Sequence, residues 1–120
     1  MKIFDSNILI HAIQPEHDYL LADLFDTNSY VSVISKLEVL GYHLITESDK
    51  SKFEYILSLI NIIPINSNII EKAIKLKQEK KMSIGDSIIA ATALLNNLEL
   101  HTRNISDFKH LPLAVVNPMI

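Results

Sequence analysis

Apolar and polar positions follow two rhythms along this chain: short apolar runs with strand-like alternation, and longer stretches with period near 3.6. Ile3-Phe4 opens a β-like run that stops at the polar trio Asp5-Ser6-Asn7. Ile8, Leu9, His11, Ala12 and Ile13 then read as helical until Pro15. Tyr19 to Phe25 repeats helical spacing, with Asp18 as N-cap. Tyr30-Val31-Ser32-Val33-Ile34 alternates as a strand, and Ser35-Lys36-Leu37-Glu38 starts the helix after it. Phe53, Ile56, Leu57 and Ile60 share one face of a helix over 53–60. Asn61 to Ile65 forms a short buried strand, which Pro64 places at a sheet edge or a strand end. A helix over 68–81 follows, capped by Ser67 or Asn68; Ser83 opens another, closed by Asn96-Asn97. Leu98 to His101 and Ala114 to Val116 supply the last strands.

Strands separated by helices imply βα units, and so an α/β fold with a mainly parallel central sheet flanked by helices on both faces. Gly41 and Gly85 are isolated, the four prolines are scattered, and no repeat or low-complexity tract occurs, so residues 1–120 read as a single domain. The 48% of apolar residues and a formal charge of −3 exclude disorder. The absence of cysteine excludes thiol catalysis, Cys-based zinc sites and disulfide scaffolds, and suits a reducing, cytoplasmic setting. Asp5 falls too early for a signal peptide, and the longest apolar stretch, Ile88 to Leu95, is far short of the roughly 18 residues of a membrane span. The expectation is a soluble protein with no membrane partner. Fourteen acids against 11 bases argue against a basic coat for nucleic acid, though not against a nuclease that meets phosphates through metal ions.

Ligands of parallel sheets collect at the carboxyl ends of the strands. There the predicted elements place four acids: Asp5 closing the first strand, Glu38 and Asp86 in the first turns of their helices, and Asp107 after the strand ending near Thr102-Arg103-Asn104. Taken singly, each has a plainer explanation. Ser35-x-x-Glu38 has the form of a capping box and Ser83-x-x-Asp86 nearly so; Asp5 and Asp107 suit turns. Taken together, in front of a central strand and a buried helix, they would repel one another unless a cation compensates. Hard oxygen ligands of this kind suit Mg²⁺ or Mn²⁺.

Four segments carry a resemblance. Ile3-Phe4-Asp5-Ser6-Asn7-Ile8-Leu9-Ile10 resembles the opening of a PIN domain, the small metal-dependent ribonuclease fold. Ser32 to Gly41 resembles its second acidic motif, Gly85 to Ala93 the third, and Thr102 to Phe108 the fourth, in the family's order. Size and layout resemble the VapC-type toxins of toxin–antitoxin pairs. The resemblance implies that Asp5, Glu38, Asp86 and Asp107 jointly hold Mg²⁺ or Mn²⁺. In its terms Ser6 matches the small hydroxyl after the first acid, while Thr102 and Asn104 match polar residues that support the fourth. It further implies endonucleolytic RNA cleavage by an activated water, leaving a 5′-phosphate and a 3′-hydroxyl. The implied partners are an RNA substrate, a cognate antitoxin and a second copy of the chain in a homodimer. With Arg103 the only arginine, the grip on RNA falls to lysines, backbone N–H groups and metal.

Other features take ordinary explanations. The five histidines form no metal-binding pattern and receive no role. Lys72, Lys75, Lys77, Lys80 and Lys81 read as a solvated helix face ahead of a track for RNA. Two rival functions remain. One is a non-catalytic PIN-like module that binds RNA or protein, against which the full acidic set counts. The other is a phosphoacceptor domain, which would want a later lysine at a strand end, and none is apparent. If the four acids form one site, the rest of the chain carries 10 acids against 11 bases. The negative charge is then local and not a surface that repels RNA.

Overall fold

The computed structural model describes all 120 residues. Five short strands, β1 (Lys2–Phe4), β2 (Ser29–Ser32), β3 (Asn61–Ile63), β4 (Glu99–His101) and β5 (Val115–Val116), form one sheet in the order β3-β2-β1-β4-β5. Every pairing is parallel, so the sheet expected to be mainly parallel is wholly so. Six helices connect and cover it: α1 (Ser6–Ala12), α2 (Leu20–Leu24), α3 (Val33–Leu40), α4 (Glu47–Leu59), α5 (Ser67–Glu79) and α6 (Ile84–Asn96). No helix is long and apolar enough to cross a membrane.

Successive strand residues point to opposite faces, and that builds two cores. Ile3 joins Leu100, Phe108, and the buried sides of α5 and α6 on one face. Phe4 joins Val31, Ile8 and Leu9 of α1, Leu20 and Leu24 of α2, and Phe53 and Ile56 of α4 on the other. Both faces of β1 are therefore covered, as a parallel sheet requires. Helix α6 is buried continuously from Ser87 to Ala93, and its two polar members there bond back to the preceding turn: Ser87 Oγ to Ile84 O and Thr92 Oγ1 to Ile88 O, both at 2.7 Å. Asn97 ends it in the left-handed region, φ 53°, a conformation Asn tolerates better than most residues.

Several boundaries differ from expectation, mostly because caps lie elsewhere. Strand β2 stops at Ser32, whose hydroxyl accepts from Ile34 N at 3.1 Å, so Val33 and Ile34 form a first helical turn and not the end of a strand. Ser35 is consequently no cap, and Glu38 lies in the second turn of α3. Asp18 does not cap α2; it closes a 3₁₀ turn over Pro15–His17, and α2 starts without a side-chain cap. Thr46 caps α4 through Asp49 N, so the helix starts at Glu47, six residues before the apolar face that begins at Phe53. Asn66 caps α5, which ends at Glu79 because Lys80 is extended.

Candidate active site

The register of β1 against β4 pairs Phe4 with His101, so the residues just after them, Asp5 and Thr102, leave the sheet side by side. The backbone N–H of Asp5 donates to His101 O at 2.9 Å. Asp5 then turns the chain directly into α1, and its carboxylate caps that helix by accepting from Ser6 N at 2.7 Å. The other carboxylate oxygen accepts from Thr102 Oγ1 at 2.9 Å and from Asn7 Nδ2 at 3.2 Å. Asp5 is thus fixed by three donors and only 6% exposed.

Ser6 ties in the second acid. Its Oγ lies 2.6 Å from Glu38 Oε1 and 2.8 Å from Ser35 Oγ. A hydroxyl has one proton and the carboxylate has none to give, so Ser6 donates to Glu38 while Ser35 donates to Ser6. Glu38 also lies over the start of α6, where a Cβ on Gly85 would come within 2.6 Å of its Oε2. Gly85 is therefore a residue of the site: the lack of a side chain lets the carboxylate lie against the backbone. Asp86 follows in the first turn of α6, its N–H donating to the capping Ser83 Oγ at 3.1 Å. Asp107 is exposed in a 3₁₀ turn over Ile105–Asp107, its N–H donating to Asn104 O at 3.0 Å.

The four acids feel one another. Burial, more than anything else, raises Asp5 from an ordinary 3.8 to about 6; the Thr102 and Ser6 hydrogen bonds oppose this, and the charges of Asp86 and Glu38 reinforce it. Burial likewise leads in raising Asp86, followed by the charge of Asp107, with Glu38 adding to both. No cation answers them. The two ion pairs of the structure, Lys2–Asp23 and His101–Glu99, involve other acids. Nor do any three His, Asp or Glu side chains close around a common ligand position. A gathered but unclosed set of carboxylates fits a cation that binds through one or two of them and keeps part of its water, as Mg²⁺ does.

The PIN-domain family profile matches residues 2–112. The chain belongs to the PIN-domain family. The resemblance read from the four acidic segments holds over nearly the whole chain. Its fold is similar to a toxin–antitoxin complex from Klebsiella pneumoniae, with 36% identity, a TM-score of 0.77, and 98% of each chain covered. FitAcB from Neisseria gonorrhoeae is 25% identical with a TM-score of 0.79 over 98% of each chain. VapBC2 from Rickettsia felis, bound to a promoter DNA fragment, is 25% identical with a TM-score of 0.82 over 97% of each chain. No curated protein matches the chain.

Within this PIN domain, the polar residues singled out in sequence fall differently around the acids. Ser6 serves Glu38, 32 residues away, as well as following Asp5. Thr102 gives its hydroxyl to the first acid, Asp5, and accepts from Asn104 N at 3.0 Å, so its bond is to Asp5 and not to Asp107. Asn104 reaches Asp107 through its carbonyl. Gly85, Ser35 and Asn7 lie within the segments that carry the resemblance, but the sequence gives them no role at the site. The polar trio after β1 contained the signal for Asn7; Gly85 and Ser35 stand near acids in the sequence, but their contacts with Glu38 and Ser6 are made across elements.

Proposed function

We propose that this PIN domain is a divalent-metal-dependent endoribonuclease that acts as the toxin of a type II toxin–antitoxin pair. The observation that carries the proposal is the buried Asp5, raised to about 6 among three further carboxylates with no cationic side chain beside it. A group so placed calls for a bound cation. Asp5, Glu38, Asp86 and Asp107 would hold Mg²⁺ or Mn²⁺, one or two of them directly and the rest through its waters. When bound, such an ion makes water a stronger acid and offsets charge on the leaving oxygen of a phosphodiester. The chain's own contribution is orientation: Thr102, Asn7 and the Ser6 N–H fix Asp5, Ser6 Oγ aims Glu38, and the Ser83 cap fixes the start of α6 beneath Asp86.

An antitoxin partner is supported by the similar structures, several of which are described as toxin–antitoxin complexes or VapBC pairs. A groove of about 550 Å³ begins at Glu38 and runs between α1 and α4 over Ile10, Ile13, Tyr42, Leu44 and Phe53. In this proposal it seats an apolar antitoxin segment beside the acids. A homodimer belongs to the same proposal, with exposed Leu37 and Ile84 next to the site as apolar surface for it. The test is RNA cleavage by purified Asp5→Asn and Asp86→Asn proteins, with growth arrest on expression scored in parallel. Both variants should fold, judged by circular dichroism, and lose both activities. Cleavage retained by both would sink the metal mechanism.

A further inference from the structure

Arg103, the only arginine of the chain, stands at the rim of the acid cluster. It follows Thr102, whose hydroxyl holds Asp5. Its N–H donates to Asn7 Oδ1 at 3.4 Å, while the same amide's Nδ2 bonds Asp5. From there the side chain runs outward along α1 to His11, where Nη1 lies 3.3 Å from Nε2. A guanidinium is always protonated, so Arg103 donates and His11 accepts as a neutral ring. That places the ring proton on Nδ1, which is buried without a partner. His17 packs edge-on against His11, ring centroids 5.3 Å apart.

One helical turn, about 5.4 Å, separates Asn7 from His11, so the guanidinium is held roughly one turn beyond the acids. Arg103 is exposed, and no carboxylate pairs with it. A strand whose scissile phosphate sits at the acids, and which continues along α1, brings a neighbouring phosphate over a planar fork suited to two of its oxygens. Resting on the ribonuclease proposal, we infer that Arg103, positioned by His11, grips the RNA phosphate next to the one cleaved and so sets the direction in which the strand crosses the site. Arg103 is a binding residue in this scheme and His11 a positioning residue.

The test uses a fluorescent single-stranded oligoribonucleotide and Asp86→Asn as a binding-only parent, with affinity followed over a salt series in Mg²⁺. Adding Arg103→Gln should weaken binding about tenfold, as the loss of one charge-assisted contact does, and lower the salt slope by about 0.7. In cleavage by the otherwise native chain, the loss from Arg103→Gln should fall on KM more than on kcat. His11→Gln, which keeps an acceptor, should retain affinity, and His11→Leu should lose part of it. An unchanged salt slope and KM on Arg103→Gln, with cleavage intact, overturns the inference alone. Absence of both RNA binding and cleavage by the native chain removes the ribonuclease proposal and this inference with it.

Discussion

Replacing Asp5 with asparagine removes an ionisation that the fold opposes, and the size of that opposition follows from the structure. Asp5 titrates near 3.8 when unfolded and at about 6 when folded. Below pH 3.8 both states are protonated and no penalty exists. Between the two values the unfolded chain releases its proton first, so stability falls as pH rises. Above about 6 both states are ionised and the penalty is complete, worth about 3 kcal/mol at 1.36 kcal/mol per pH unit. Asp5→Asn has no such term. In metal-free buffer the variant should therefore gain on the wild type by about 2.5 kcal/mol between roughly pH 4 and pH 7.5, since part of the penalty is already present at pH 4. Whatever the amide loses beside Thr102 and Asn7 is nearly constant with pH and leaves the difference untouched. Urea denaturation followed by far-UV circular dichroism, at both pH values and in chelator, measures it. A stability gap that stays flat across this range would show that Asp5 ionises freely, and the need for a compensating cation would disappear.

Further outcomes follow from individual contacts. Gly85→Ala places a methyl 2.6 Å from Glu38 Oε2, and the carboxylate is the part free to retreat; melting should show unchanged or raised stability, by at most about 1 kcal/mol from better helix propensity, while Mn²⁺ affinity and cleavage fall. Asn97→Ala should cost about 1 kcal/mol because alanine resists the φ of 53° that ends α6, and Asn97→Gly should cost little. Lys72 and Lys75 share a pocket with Leu95 and Asn96 at the far end of α6 from Asp86. The nine to ten residues of α6 between Asp86 and Leu95–Asn96 put about 15 Å between them and the acids, so glutamate at both positions should leave RNA affinity nearly unchanged in a salt series.

How far the sequence could be read depended on whether the deciding contact was local. Helix α6 was legible at both ends because Ser83 and Asn97 are caps that act within a few residues. The α/β class and the central place of β1 were legible for the same reason, through the alternation of strand and helix patterns. The end of β2 was not: Val33 and Ile34 have strand-like side chains, while Ser32 caps α3 through Ile34 N and so starts the helix at Val33, with Ser35 then buried against Ser6. The four acids could be named because each follows a recognisable strand end or helix start, although Glu38 lies one turn further into α3 than expected. Their support could not, because Thr102 meets Asp5 across 97 residues and Gly85 meets Glu38 across the packing of α3 on α6. Arg103 shows the difference most clearly. In sequence it is a lone cation in an arginine-poor chain; the β1–β4 register brings it beside Asn7 and the site.

Calorimetric titration of Mn²⁺ into the metal-free chain near neutral pH bears most directly on the acids as one cation site. The wild type should bind, with a heat that varies with the buffer's ionisation enthalpy at pH near 6 because binding expels the Asp5 proton, and Asp86→Asn should bind far more weakly. No binding by the wild type, or equal binding by Asp86→Asn, would contradict a metal-dependent centre built from Asp5, Glu38, Asp86 and Asp107.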